Sequence, residues 1–237
     1  MARPSSRFRM AASRRWRGFA LLAGLLALCP GLPTFDSVLA QRLGDRPLRE
    51  RVRDLAPGKF LIAARNLPDP NFGDSVVLLA QYGEEGAMGL IVNVRTEVPV
   101  SSVLGDMKGV SGRSEPVFFG GPVARTGVVA LVRSRSGVAE SQRILEDVHL
   151  ITTREPLEAV LASGAGGDEL RVYLGYAGWG AGQLEEETLR GSWHVVTADA
   201  DLIFDAEPGS LWRRQINRTE RSMMVRSAEP RGGGSAM

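Results

Sequence analysis

Apolar residues in the central part of the chain fall in short runs. KFLIAAR, SVVLLAQY and LRVYLGYA are rich in aliphatic residues and are flanked by glycine, proline or charged turns. Such runs are typical of buried strands. The runs at 75–82 and 87–94 are separated by GEEG, which predicts a β-hairpin. The predicted strands are 59–65, 75–82, 87–94, 116–123, 127–133, 148–153, 170–177 and 192–198.

Helical patterns are fewer. The segment REPLEAVLAS places Leu157, Val160 and Leu161 on one face. The predicted helices are 100–104, 154–163, 182–191 and 208–216. Strands outnumber helices and usually come in pairs, and 116–123 is expected to pair with 127–133. The βαβ alternation of a doubly wound sheet is missing from the pattern, which therefore predicts one α+β domain.

The domain boundaries follow from the same pattern. Residues 41–57 are charged and poor in core-forming side chains, which indicates a linker or a short surface helix. The globular domain is predicted at 58–216. Residues 217–237 are polar and end in RGGGSAM, which predicts a disordered tail.

The first forty residues have a different composition. An arginine-rich start without an acid precedes an apolar run of about fourteen residues, which begins at Phe19 and is shorter than the roughly twenty residues that span a bilayer. Pro30 and Pro33 follow the run, and Val38-Leu39-Ala40 fits a cleavage site. Residues 1–40 are therefore predicted to be a signal peptide, with a periplasmic or otherwise exported mature protein.

Three alternatives to this leader stay open. SRRWRGF at 13–19 is similar to a twin-arginine signal, and LALC ending at Cys29 is similar to a lipoprotein box. A start site placed too far upstream would instead leave a cytoplasmic protein. Without cleavage, the leader is the one predicted point of membrane contact.

Composition limits the chemistry. Cys29 is the only cysteine, so the mature chain has no predicted disulfide or thiol nucleophile. His149 and His194 form no zinc signature, and no G-x-S-x-G motif occurs. We therefore expect no cofactor, no metal site and no catalytic residue.

The charge balance bears on the partner. Acidic residues outnumber basic ones once the arginine-rich leader is set aside. A nucleic-acid-binding face needs concentrated positive charge, and we expect none here. The partner is not identified, but a protein or a small molecule is favoured over nucleic acid.

The segment GYAGWGAGQLEEE, at 175–187, raises the question of a phosphate loop. Its glycine spacing matches neither G-x-G-x-x-G nor G-x-x-x-x-G-K-[ST]. Acids at the start of the following helix already complement its dipole and would repel a phosphate. We expect a tight turn between strand and helix, with Trp179 and Trp193 buried as anchors.

Turn-rich segments offer the best candidates for a contact surface. They are NLPDPNFGD, FGGP and the glycine segment itself. Glycine pairs before proline usually form turns, but their exposed backbone can also contact a ligand. The carboxylates of Glu84 and Glu85 are expected to be solvated in the hairpin turn. The candidate contact residues are Asp69, Phe72, Gly120, Gly121, Pro122, Gly178 and Trp179.

Several segments together resemble the YqgE/AlgH family of bacterial proteins. They are FLIAARNLPDPNFGDSVVLL with EEGAMGLIVN, then FFGGPV, then YLGYAGWGAGQLEEE with LWRR behind it, in the family's order over about 58–214. The resemblance implies an α+β fold with a bent, mostly antiparallel sheet that approaches a barrel. It also implies a poorly defined role. One branch of the family carries the label of transcriptional regulator of alginate production. The expected function is a non-enzymatic binding or regulatory protein; the alternatives are a cytoplasmic transcriptional regulator and an enzyme, such as a hydrolase, with an unrecognised site.

Overall fold

A computed structural model describes the backbone of residues 48–228 and the side chains of residues 51–225. The predicted signal peptide and the last nine residues lie outside this range. The strands of the described range are β1 Lys59–Ala63, β2 Val76–Gly83, β3 Gly86–Ile91, β4 Arg95–Pro99, β5 Pro116–Phe119, β6 Val123–Arg133, β7 Gln142–Arg143, β8 Val148–Ile151, β9 Leu170–Gly180 and β10 Trp193–Thr197. The helices are α1 Leu48–Arg53, α2 Val100–Val103, α3 Arg154–Ala162, α4 Gln183–Leu189, α5 Ala200–Ile203 and α6 Pro208–Ala228.

The strands form one strongly curled sheet, which makes half a barrel. Its order is β10-β1-β2-β3-β9-β6-β8-β7, and β5 lies beside both β4 and β9. Every pairing is antiparallel except β5 with β9. The side chain of Gln142 on β7 donates to the carbonyl of Ala80 on β2 at 3.0 Å, so the curl brings the β7 edge close to β2. The predicted α+β domain with a bent sheet is confirmed.

Three groups of buried side chains hold the sheet and helices together. The inner core lies between the curled sheet and the helices α5 and α6, and contains Phe60, Leu90 and Leu211. One outer cluster lies under α2 and α3, and a second outer cluster joins α1 and α4 to the sheet around Trp179 and Trp193. The sheet is therefore covered by apolar contacts on both faces.

Strand β9 contributes side chains to the inner core and to both outer clusters, because it contains a bulge. Val172 and Leu174 point into the α2–α3 cluster, whereas Ala177 and Trp179 point into the α1–α4 cluster. The alternation of a strand cannot give this pattern unless one extra residue is inserted. Gly175 is that residue, with a left-handed φ of 71°.

The predicted positions of the strands and helices agree well with these elements. The predicted pairing of β5 with β6 does not agree with the structure. The hairpin turn at Glu84 and Glu85 is confirmed between β2 and β3. Strands β5 and β6 were expected to pair with each other, and this is wrong, because β5 pairs with β4 and β9 instead. The expectation missed β4, whose five residues are all half-buried or exposed and show no apolar run.

The predicted end of the last helix is also wrong. Helix α6 was expected to stop at 216 and a disordered tail to follow, yet it continues to Ala228. Arg65, next to β1, donates to the carboxylate of Glu220 at 2.8 Å and to the side-chain oxygen of Asn217 at 2.6 Å. These contacts attach the second half of α6 to the domain, which the local composition does not show. Among residues 48–228, no helix is long and apolar enough to cross a membrane.

Candidate functional site

The glycine-rich segment leads into a cluster of rings tied to one carboxylate. Glu187 Oε2 accepts the indole N–H groups of Trp179 and Trp193, each at 2.9 Å. Its other oxygen, Oε1, accepts from the side-chain amide of Gln183 at 2.9 Å. Both indoles are buried, with exposed fractions of 3% and 1%. We call Trp179, Trp193, Gln183 and Glu187 the tryptophan lock, because side-chain donors bind both oxygens of the carboxylate.

Phe72 completes the aromatic packing. Its ring stacks on Trp179 at 5.9 Å between centroids and meets the edge of Trp193 at 5.7 Å. Asp69, in the same loop, accepts from the backbone N–H of Asn71 at 2.8 Å, which holds the turn that presents Phe72. The loop thus covers the tryptophan lock, and Asp69 has the backbone-bonding role that its position between two prolines indicates.

Gly120 and Gly121 lie where the backbone of β5 leaves toward β6 and passes close to β9. A Cβ on Gly120 would come within 2.3 Å of the carbonyl oxygen of Gly175, and one on Gly121 within 2.2 Å of the carbonyl carbon of Tyr176. Gly120 also donates to the Leu174 carbonyl and accepts from the Ile91 N–H, each at 2.9 Å. The glycine pair is therefore needed for a close approach of two strands. Pro122 follows it and is half-buried.

The predicted contact residues do not form one surface. Phe72 and Trp179 lie in the α1–α4 cluster, on one side of β9. Gly178 faces the opposite side, because a Cβ there would contact the ring of Tyr176 at 3.2 Å and Val123 at 3.5 Å. The ring of Trp179 is buried, so the expected anchoring role of this residue and of Trp193 is confirmed. Whether Asp69, Phe72 and the glycine turns contact a partner stays a prediction.

The glycine segment itself is mostly strand. Strand β9 runs to Gly180, and only Ala181 and Gly182 form the turn before α4. Gly182 has a left-handed φ of 75°. The helix that follows has seven residues with Glu185 and Glu186 in its first turn. The predicted turn between strand and helix is confirmed, although it is shorter than expected.

Tyr82 forms a second contact at the same corner. Its hydroxyl donates to Glu185 Oε1 at 2.7 Å, which connects the β2–β3 hairpin to α4. Burial, followed by this hydrogen bond, raises the pKa of Tyr82 to about 12. Since the hydrogen bond and the partial burial both favour the neutral phenol, Tyr82 acts here as a donor.

A buried guanidinium lies on the inner face of β9, and the sequence analysis did not identify it. Arg171 is 6% exposed and lies over the ring of Phe118 at 4.5 Å. Its Nη2 donates to the backbone carbonyl of Asp205. The guanidinium and the buried hydroxyl of Tyr173 interact with each other. Among the described residues, however, neither Nη1 of Arg171 nor this hydroxyl makes a well-formed hydrogen bond. Burial lowers the pKa of Arg171 and raises that of Tyr173.

The two histidines lie on separate strands. His149 on β8 is 6% exposed, and its Nδ1 lies 3.2 Å from the hydroxyl of Ser141. His194 is half-buried on β10. Within residues 48–228, no group of three or more histidine, cysteine or carboxylate side chains is arranged to hold a metal ion.

Two grooves lie on the surface, one beside α3 and one beside α6. The first, of about 690 Å³, lies between the β6–β7 loop and the end of α3. The second, of about 640 Å³, lies between α6 on one side and the β7–β8 turn and the start of α5 on the other. Asp147 lines both and pairs with Arg133 at 2.8 Å, and Arg133 also reaches Asp201 at 2.7 Å.

Helix α6 concentrates basic residues, which the sequence analysis divided between a predicted helix at 208–216 and a disordered tail. It contains five arginines and a single acid, Glu220. Arg213, Arg214, Arg218 and Arg221 are exposed. The expectation of no concentrated positive charge therefore does not hold for this helix. A continuous helical pattern through 228 is the signal that could have revealed it.

Comparison with known proteins agrees with the resemblance. The AlgH-like family model matches residues 60–223. A UPF0301 protein of Thioalkalivibrio sulfidiphilus is 38% identical over 163 residues, which cover 68% of this chain and 87% of the relative. A UPF0301 protein of Serratia proteamaculans is 38% identical over 167 residues, covering 67% and 89%.

Two solved structures share the architecture. The AlgH protein of Pseudomonas aeruginosa is 27% identical with a TM-score of 0.57, and the match covers 75% of this chain and 95% of AlgH. Protein DIP2367 from Corynebacterium diphtheriae is 22% identical with a TM-score of 0.61, covering 74% and 93%. The second match shows the fold alone.

Proposed function

Since the chain belongs to the AlgH-like family, for which no specific molecular activity is shown, we propose that it is a non-enzymatic binding or regulatory protein. The observation that carries this proposal is the tryptophan lock. In a general acid or base, the carboxyl group must be able to exchange a proton with a substrate. Glu187 accepts three side-chain hydrogen bonds, which hold both indoles in place, and this supports a scaffold role for the glycine segment and α4.

Other residues in the segments that resemble the family support the same proposal. Asp69 orders its own loop, and Glu185 holds the hydroxyl of Tyr82. Gly120 and Gly121 allow close backbone packing. These contacts stabilise the domain. The two grooves and the outer face of α6 are the open surfaces to which a partner can bind.

The test compares the wild-type protein with Glu187→Gln. Both are incubated with ester, phosphoester, glycoside and peptide substrates, and thermal melts are recorded in parallel. We expect no turnover above buffer from either protein, together with a lower melting temperature for the variant. Turnover by the wild type that Glu187→Gln abolishes, with an unchanged melting temperature, would establish the enzyme alternative instead.

A second candidate is a cytoplasmic transcriptional regulator, and the arginines of α6 favour it. DNA binding would require these side chains to displace counterions from phosphates, so the affinity would fall steeply with salt. The acidic excess beyond the leader opposes such binding. A gel shift with salt titration on residues 41–237 decides between the two, and we expect no salt-sensitive submicromolar complex.

We further propose that the protein acts outside the cytoplasmic membrane. The proposal rests on the arginine-rich start, the short apolar run and Val38-Leu39-Ala40, all of which precede the family match at residue 60. N-terminal sequencing of the native protein tests it. A first residue near Gln41 in a periplasmic fraction supports export, whereas a cytosolic product that begins near Val52 contradicts it.

A further inference from the structure

The groove beside α6 has an apolar floor and a charged rim. Its floor includes Leu145, Val196, Ala198 and Leu202. Helix α6 forms one wall with Gln215, Arg218, Thr219 and Ser222. The shape and the apolar floor suit an apolar side chain that projects from a larger partner.

The exposed side of α6, next to this wall, carries a row of mostly basic residues, of which Arg218 lines the groove. Arg214, Arg218, Arg221 and Val225 are spaced i, i+4, i+7 and i+11, which places them on one face of the helix. Arg214 is paired with Asp205. Arg218 and Arg221 are exposed and form no ion pair with the described residues. Val225 has an exposed fraction of 63% and extends the row with an apolar residue.

The opposite wall has the opposite charge. Glu146 and Asp199 line it, both exposed, and Asp147 lies beside them. A uniformly anionic partner, such as a duplex or an acidic membrane, would meet these carboxylates while it approached the arginines. A polypeptide can present acidic side chains to α6 alone and place an apolar side chain on the floor.

We propose that this groove docks an acidic amphipathic segment of another protein. Its acidic side chains pair with Arg218 and Arg221, and its apolar side chains occupy the floor and contact Val225. This inference rests on the proposed binding function and names the surface and the chemistry of the partner. Peptide recognition by an apolar groove with charged flanks is a common mode for an amphipathic helix.

The probe is a fluorescent amphipathic peptide with a leucine face flanked by glutamates. Two peptides serve as comparison: one with lysines in place of the glutamates, and one with the acidic sequence scrambled. Binding to the full chain is measured by anisotropy at low salt, where exposed ion pairs are least screened. We expect the acidic amphipathic peptide to bind at least about tenfold more tightly than either comparison peptide.

Charge reversal at the wall is the decisive variant. The double variant Arg218→Glu with Arg221→Glu should lower the affinity for the acidic peptide by about tenfold or more, since two attractive contacts become repulsive. The matched control is Arg95→Glu with Arg135→Glu, which changes the net charge equally at exposed positions that do not line this groove. Thr219→Trp, which fills the groove, should weaken binding without any change of charge. Circular dichroism confirms that each variant is folded.

Each other result overturns the inference. No binding of the acidic peptide below about 1 mM, or equal loss in the control variant, removes this groove as the site. Tighter binding of duplex DNA or phosphatidylglycerol vesicles that the charge reversal abolishes identifies a different partner class. A dimer in sedimentation that the charge reversal dissociates identifies a second copy of the chain. The substrate assay on Glu187→Gln is unaffected by these outcomes, so the two proposals fail separately.

Discussion

Strand β9 contributes side chains to two polar clusters, one on each face, and they are built differently. On the α1–α4 side, Trp179 and its neighbours surround one carboxylate with three neutral donors. On the inner side, Arg171 has one carbonyl acceptor and aromatic faces, and its Nη1 makes no well-formed hydrogen bond among the described residues. A charge that is partly or fully removed from water is tolerated when it is hydrogen-bonded. Replacement of an incompletely bonded buried charge by an apolar side chain of similar size is often neutral. The tryptophan lock should therefore be essential for stability, and Arg171 should be replaceable.

The largest effect is expected from Trp179→Ala. The ring is buried between Phe72 and Trp193, and truncation of such a ring costs about 4 kcal/mol of unfolding free energy. Trp212→Ala, at a half-buried ring, is the control and should cost less. Urea unfolding measures both. An unchanged midpoint for Trp179→Ala, together with loss of a binding activity, would show that this residue works in recognition rather than in packing.

Removal of the carboxylate should come next. Glu187→Ala leaves two buried indole N–H groups without their acceptor and should cost about 3 kcal/mol. Glu187→Gln keeps one oxygen for the indoles and should cost about 1 kcal/mol. Glu186→Ala, at an exposed position paired with Arg190, is the control and should change stability by less than about 0.5 kcal/mol. Equal losses at 186 and 187 would refute the distinction between them.

Alkaline pH tests the contact of Tyr82 with Glu185. Because the folded pKa of Tyr82 is raised to about 12 from an unfolded value near 10, the folded state holds the proton more tightly. Its stabilising contribution is complete below pH 10 and is lost as the pH rises toward 12, reaching about 1 kcal/mol of loss near pH 11. Thermal melts of the wild type and Tyr82→Phe should therefore converge over this range. Parallel pH profiles would contradict the raised pKa.

The smallest effect is expected at the inner site. Arg171→Met removes a buried charge whose hydrogen bonding is incomplete and keeps an extended side chain, so stability should stay within about 1 kcal/mol of the wild type. Tyr173→Phe, which removes the incompletely bonded hydroxyl, is the matched companion and should behave alike. A loss of more than about 3 kcal/mol for Arg171→Met would place Arg171 in the same class as Glu187 and remove the contrast between the two faces.

Local patterns predicted most of the fold. The alternation of apolar runs and turns located the β2–β3 hairpin, and the spacing of Leu157 and Leu161 located α3. These elements depend on neighbours in the chain, which the sequence shows directly. The pairing of β5 with β4 and β9 was not predicted, because contacts distant in sequence decide which strand edges meet.

The candidate contact surface stays a prediction, and its residues lie on both sides of β9. The glycine turns were interpreted as candidate contact sites. In the structure, Gly120 and Gly121 are needed because the backbone there passes very close to β9. The groove beside α6 was missed because its walls come from the β7–β8 turn, α5 and α6, which lie far apart in the chain. In the sequence, Arg218 and Arg221 belong to a polar stretch that is typical of a tail. Only the helix places them on one face.

The sequence alone determined the strand-rich class of this protein, its family motifs and the burial of both tryptophans, since each depends on local composition and spacing. Tertiary structure decided which polar groups are satisfied. The same strand carries Arg171 and Trp179. The left-handed Gly175 and the approach of α4 bring the indole of Trp179 to its carboxylate acceptor, whereas the hydrogen bonding of Arg171 stays incomplete. Hydrogen bonding and charge pairing act over a few ångströms in space, so only the folded arrangement distinguishes a scaffold residue from one available to a partner.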